Sequence, residues 1–190
     1  RKLRHLAQDA ARGLHTALPG WTIGARVAIG FPAQEILATA AAWRADLAVL
    51  GSHDRSWWQR AVLGSVAREV VNHAACDVRI VRSRLGTLGS SVSLVIGIDG
   101  SGSAHAAAMA AARRLWPRGS SARIVVALDR RLSAEGPRRR ALAMAERAVD
   151  LLQATGLTAH LVAAHGEPAR VLLAEAKRAD CLFVGARGVS

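Results

Sequence analysis

The chain has 190 residues, and with 51% of them apolar it can bury a sizeable core. Twenty-six Lys and Arg against 14 Asp and Glu leave a charge of +12 at pH 7, which raises nucleic acid or an anionic surface as partners. Only Arg138-Arg139-Arg140 forms a run, however, and no tyrosine and two phenylalanines leave few platforms for base stacking, so a solvated basic exterior is the simpler reading.

The chain opens inside an amphipathic helix, KLRHLAQDAARGLHTAL, without an initiator methionine, and so reads as a fragment. That helix feeds a predicted strand, WTIGARVAI, over 21–29. Gly30-x-Pro32-Ala33 starts a second helix, Arg44-Ala45-Asp46 ends it, and an apolar strand runs to Gly51. A loop leads to Gly64-Ser65, a helix to about Ala75 and a strand, DVRIVRS. LGTLGSS, residues 85–91, is a linker by composition. Beyond it come an apolar strand, VSLVIGI, then Asp99 in DGSGS, an alanine-rich helix and a second strand, ARIVVAL. Another helix, PRRRALAMAERAVDLLQAT, and a strand, LTAHLVAA, lead to Gly166-x-Pro168-Ala169. A last helix, Arg178-Ala179-Asp180 and the strand CLFV reach Gly185.

Strands alternating with helices of ten to fifteen residues predict a parallel, doubly wound α/β sheet with helices on both faces. Residues 29–54 repeat as 164–188, with Gly-x-Pro-Ala, helix, Arg-Ala-Asp, strand and Gly in the same order. The repeat divides the chain into a first domain, 1–84, lacking its opening βαβ, and a second, 92–190, lacking its closing αβ.

Motifs of enzymes fail on particular residues. Gly97 stands where a DxD phosphatase needs an acid before Asp99, His105 replaces the third glycine of a dinucleotide fingerprint, and no GxSxG or Walker lysine motif occurs. Cys76 and Cys181 lack CxxC or CxH spacing, the seven histidines show no metal spacing, and no apolar run approaches the length of a membrane span. The expected setting is a reducing cytoplasm. Asp99 ends the first strand of its domain, where doubly wound folds place ligands, or else it caps a turn. Gly51 also ends a strand, and Gly64-Ser65 opens a helix whose amides and dipole can receive an anion or simply begin the helix.

These residues resemble the universal stress protein family. The segment from LAVLGS to GSVAREVVNHAACDVRIVR matches its G-x2-G-x9-G-[ST] signature at Gly51, Gly64 and Ser65, and VIGIDGSGSAHAAAMAAARR is similar to its opening strand, Asp and helix. FVGARG restarts the signature with Gly185 and Gly188. The resemblance implies a tandem protein of two α/β sandwiches, each with its first strand between the second and fourth. It implies a non-enzymatic stress protein binding an adenine nucleotide, ATP with or without Mg2+. Asp99, Gly185 and Gly188 would hold it in the second domain, and Gly51, Gly64 and Ser65 in the first. Asp54 replaces the signature's second glycine and would oppose a triphosphate, with Trp57 and Trp58 beside it, so the second domain is the better expected site. The alternative is a nucleotide-free interaction module, pairing as a homodimer or tandem pseudo-dimer through the strand at 78–82. If units share elements, residues 91–128 could instead supply the opening βαβ of the first.

Overall fold

The structure, a computed structural model, describes residues 2–51, 64–81 and 90–186, which fall in two compact units, Arg1–Ser83 and Arg84–Ser190. Most of the linker at 85–91 therefore lies outside the described residues.

In the first unit, helix α1 spans Lys2–Ala17 and helix α2 spans Pro32–Trp43. Pro32 is suited to the first turn of α2, whose amide would have no helical partner, and Arg44 closes the helix in the left-handed region at φ 51°. Strand β1, Leu47–Gly51, pairs in parallel with strand β2, Asp77–Val81, and helix α3, Ser65–His73, lies between them in sequence. Little is enclosed. Among the described residues of this unit only Ala33, Ala67 and Val70 are buried, and α1 buries none of its side chains.

One sequence expectation is corrected here. Residues 21–29 form no strand and are exposed along nearly their whole length. Their counterpart in the second unit is held by a single neighbouring strand, and the first unit shows no equivalent neighbour among its described residues. A strand has no hydrogen-bonding partners of its own, so β-rich sequence without an adjacent ladder stays irregular.

The second unit is a sheet of four parallel strands. In chain order these are β3 (Ser93–Gly97), β4 (Ser121–Leu128), β5 (Thr158–His165) and β6 (Cys181–Phe183), and in space they run β5-β4-β3-β6. The first strand of this unit thus lies between the second and the fourth, and both edges of β3 are used within the unit. In this chain, strands β3 and β4 thus pair within their own unit.

Three helices cover the sheet: α4 (Gly102–Ala112), α5 (Glu135–Ala154) and α6 (Pro168–Ala176). Leu94, Val95 and Ile96 of β3 and Ile124, Val125 and Val126 of β4 are all at most 1% exposed, as a strand covered on both faces requires. Alanines at 104, 107, 108 and 111 of α4 and at 141, 145 and 148 of α5 are buried and let the helices approach closely. Buried Ser120 fastens the start of the sheet by donating to the Pro117 carbonyl at 2.7 Å and accepting from the Val92 amide at 2.9 Å. At the same end, the Asp180 carboxylate accepts from the Ser93 amide at 2.8 Å. Arg123 ties β4 to the end of α6, donating to the Glu175 carbonyl at 3.0 Å, with its Nε in charge contact with the Glu175 carboxylate.

Candidate functional site

The carboxyl ends of β3, β4 and β6 converge on a cavity of about 190 Å³. Its walls are apolar, from Ile98, Val125, Leu172 and Val184, and its polar groups are Asp99, Ser101, Asp129 and Arg131. Pockets for drug-sized ligands enclose roughly 300–1,000 Å³, so this space is smaller than such a ligand needs. Asp129 and Arg131 also border an adjoining hollow of about 680 Å³, into which the rest of a longer ligand would extend.

Each polar group is held in place by local backbone. The Asp99 carboxylate accepts from the Ser101 amide at 2.9 Å. Ser101 caps α4 by accepting from the Ala104 amide at 3.1 Å, and its hydroxyl lies 3.0 Å from that of Ser103. Asp129 accepts from the Arg131 amide at 3.0 Å and caps a one-turn helix, Arg130–Leu132. The positive end of α4 therefore lies beside the Asp99 carboxylate, Asp129 lines the same cavity, and Arg131 is exposed at the boundary of the two spaces.

Gly185 passes directly over the start of α4. A Cβ there would fall 2.6 Å from the Ser103 carbonyl carbon and 2.8 Å from the Ala104 amide nitrogen. Only a bare backbone fits this crossing, which seals β6 against the helix N-terminus.

Of the expected site residues, the structure gathers Asp99 and Gly185 around one cavity. Gly188 lies outside the described residues, as do Asp54, Trp57 and Trp58. Gly51 ends β1, Gly64 precedes α3 and Ser65 is its first residue; all three are exposed in the first unit. A Cβ at Gly51 or Gly64 would meet nothing within 4 Å, in contrast to Gly185. Ser101, Asp129 and Arg131 went unnoticed in the sequence. The signal for Asp129 was present, since it follows the apolar strand ARIVVAL as Asp99 follows VSLVIGI. Among the described residues no group of three or more His, Cys, Asp or Glu could hold a metal ion. No described helix is long and apolar enough to cross a membrane.

Comparison with known proteins places this geometry in context. Residues 3–82 match the universal stress protein family. A universal stress protein of Methanocaldococcus jannaschii is 32% identical over 82 residues, which are 43% of this chain and 43% of that protein. The alignment thus spans less than half the length of that relative. The crystal structure of a universal stress protein from Archaeoglobus fulgidus covers the whole of this chain and 66% of its own, with a TM-score of 0.69 at 20% identity. That similarity extends the shared α/β fold across both units.

Proposed function

We propose that the chain, whose residues 3–82 match the universal stress protein family, is a member of that family and a non-catalytic stress-response protein whose second unit binds an adenine nucleotide. The observation that carries this reading is the meeting of Asp99 and Gly185 at one apolar-walled cavity on the carboxyl crest of the sheet. The base would occupy the smaller space against Val125 and Leu172, with Asp99 and Asp129 accepting from ribose hydroxyls or exocyclic amine. Two carboxylates repel phosphate, so the phosphates would run outward, past Arg131. ATP, with or without Mg2+, is the proposed ligand, with Gly188 among the residues that would hold it. In the first unit, Gly51, Gly64 and Ser65 would form a weaker phosphate cradle opposed by Asp54.

A tandem of two such units in a reducing cytoplasm, associating through the outer edge of β2 at 78–82, completes the proposal. A second reading, an interaction module without nucleotide, draws support from the exposed apolar side chains of the first unit, among them Trp21, Phe31 and Trp43.

Calorimetric titration with Mg-ATP decides between them. Saturable binding weakened about tenfold or more by Asp99→Ala, and unchanged by Gly64→Val, is the expected result, one lost contact of this kind being worth about 1.4 kcal/mol. Binding lost in Gly64→Val alone would move the site to the first unit. Absence of any binding would leave the interaction module.

A further inference from the structure

Strand β5 is paired along its whole length with β4 and, among the described residues, with nothing on its other side. Thr158 and Gly166 donate their amides to the Ser120 and Leu128 carbonyls, each at 3.3 Å. Successive residues of a strand turn their backbone groups to opposite edges, so even-numbered residues of β5 face β4 and odd-numbered ones face outward. The carbonyl of outward-facing Ala159 is taken by the Gln153 side-chain amide at 2.9 Å. Leu161, Ala163 and His165 then form three open positions centred on Ala163, which is exposed. Sheet edges are normally blunted by charged side chains, proline or a bulge. The eight residues of β5, TAHLVAAH, include no Lys, Arg, acid or Pro, and their register with β4 is unbroken.

The bond from Gln153 also shows which side of α5 overlooks this edge. Val149 and Leu142, at helical spacing from Gln153, share that side, and both are only half-buried although α5 packs on β4 and β5. Exposed Arg138 and Glu146 lie on it as well, spaced equally before and after Leu142. Laid antiparallel on an identical helix about Leu142, this side brings Arg138 of each copy to Glu146 of the other.

The centre of the strand and the centre of the helix lie at one height. From Gln153 back to Leu142 the helix rises about 16 Å, and from Ala159 on to Ala163 the strand advances about 13 Å. Both paths leave one hydrogen bond and run towards the carboxyl crest, so a single two-fold axis can serve both. Strands about 4.8 Å apart would also set the two copies of α5 roughly 10 Å apart, a normal distance for packed helices.

We propose that the β5 edge and the Leu142 side of α5 form an isologous interface with a second copy of this chain. The two β5 strands run antiparallel, with Ala163 exchanging both backbone hydrogen bonds with its own copy and Leu161 opposite His165. Two four-stranded sheets thereby become one. Any extended segment could use the strand edge, but an identical chain supplies the Arg138–Glu146 pairs at the matching height. This surface is separate from the outer edge of β2, and it does not depend on nucleotide binding.

The test combines sedimentation equilibrium with amide hydrogen exchange on the 190-residue chain over a range of concentrations. The expected result is a dimer, with exchange at Leu161, Ala163 and His165 slowing about tenfold or more as concentration rises. Ala163→Lys and Ala163→Glu, changes at an exposed position on the axis, should each abolish that slowing alone, and an equal mixture of the two variants should restore it. Arg138→Glu should weaken association, and Arg138→Glu with Glu146→Arg should recover it. A monomer at every concentration would overturn the proposal. So would a dimer whose formation leaves these three amides unchanged, or one that Ala163→Lys does not disturb. Failure of the mixed variants to associate would overturn the two-fold register, and with it the proposal.

Discussion

At position 185 an added methyl group would press on the backbone of Ser103 and Ala104, neither of which can turn aside as a side chain could. Gly185→Ala should therefore destabilise the second unit by about 1–3 kcal/mol, read as a lower urea midpoint. Gly64→Ala should do the opposite by about 0.4–1 kcal/mol. Its φ of −54° suits alanine, its surroundings are open, and the unfolded chain loses freedom. The two glycines hold equivalent standing as signature residues in the sequence, and structure alone separates them. Spacing reveals that a bare backbone is used, whereas the atoms that demand it at Gly185 belong to Ser103 and Ala104, far earlier in the chain. For the same reason Asp99 was legible as the end of a strand, but the Ser101 amide that orients it became evident only with the turn in place.

At the scale of elements, the strands that could be read were those with neighbours. SLVIG and ARIVVAL were plain from their apolar runs, because both faces of each are covered. WTIGARVAI has as much β propensity and is no strand, since pairing is a property of two segments and propensity of one. The start of the second sheet offers a direct test. Ser120→Ala would leave the Val92 amide without its partner in a buried setting and take one of two donors from the Pro117 carbonyl, costing about 1–3 kcal/mol in urea unfolding. Asp180→Ala should also destabilise, by roughly 1 kcal/mol given its exposure, whereas the matching change at Asp46 should leave stability within about 0.5 kcal/mol.

For the molecule as a whole, the chain falls into two compact units, whose described residues differ sharply in how much they enclose. Hydrogen exchange should therefore be uneven. Amides of β3 and β4, surrounded by fully buried side chains, should exchange only on global opening of their unit. Amides of α1, a 16-residue helix burying nothing, should exchange orders of magnitude faster, near the limit of an isolated helix. Denaturation followed by fluorescence and by far-ultraviolet dichroism should accordingly give transitions that do not coincide. Uniform protection across both units would contradict this picture. Sequence pattern did not convey the inequality of the two units, because the depth of a core depends on which strands stand side by side.

The bond from Ser93 to Asp180 spans 87 residues, and it joins the first strand of the second unit to the last of its described strands. During synthesis β3 and β4 can pair early, since they are near in sequence, but β6 cannot dock before translation has passed Phe183. Until then one whole edge of β3, carrying Leu94, Val95 and Ile96, is a row of unanswered amides and carbonyls beside apolar side chains. At ribosomal rates of about 5–20 residues per second, that edge waits several seconds for its partner. The nascent chain thus passes through an interval in which a strand of fully buried apolar side chains is a template for any extended segment nearby, and holding that edge is the task left to whatever meets the chain at the ribosome.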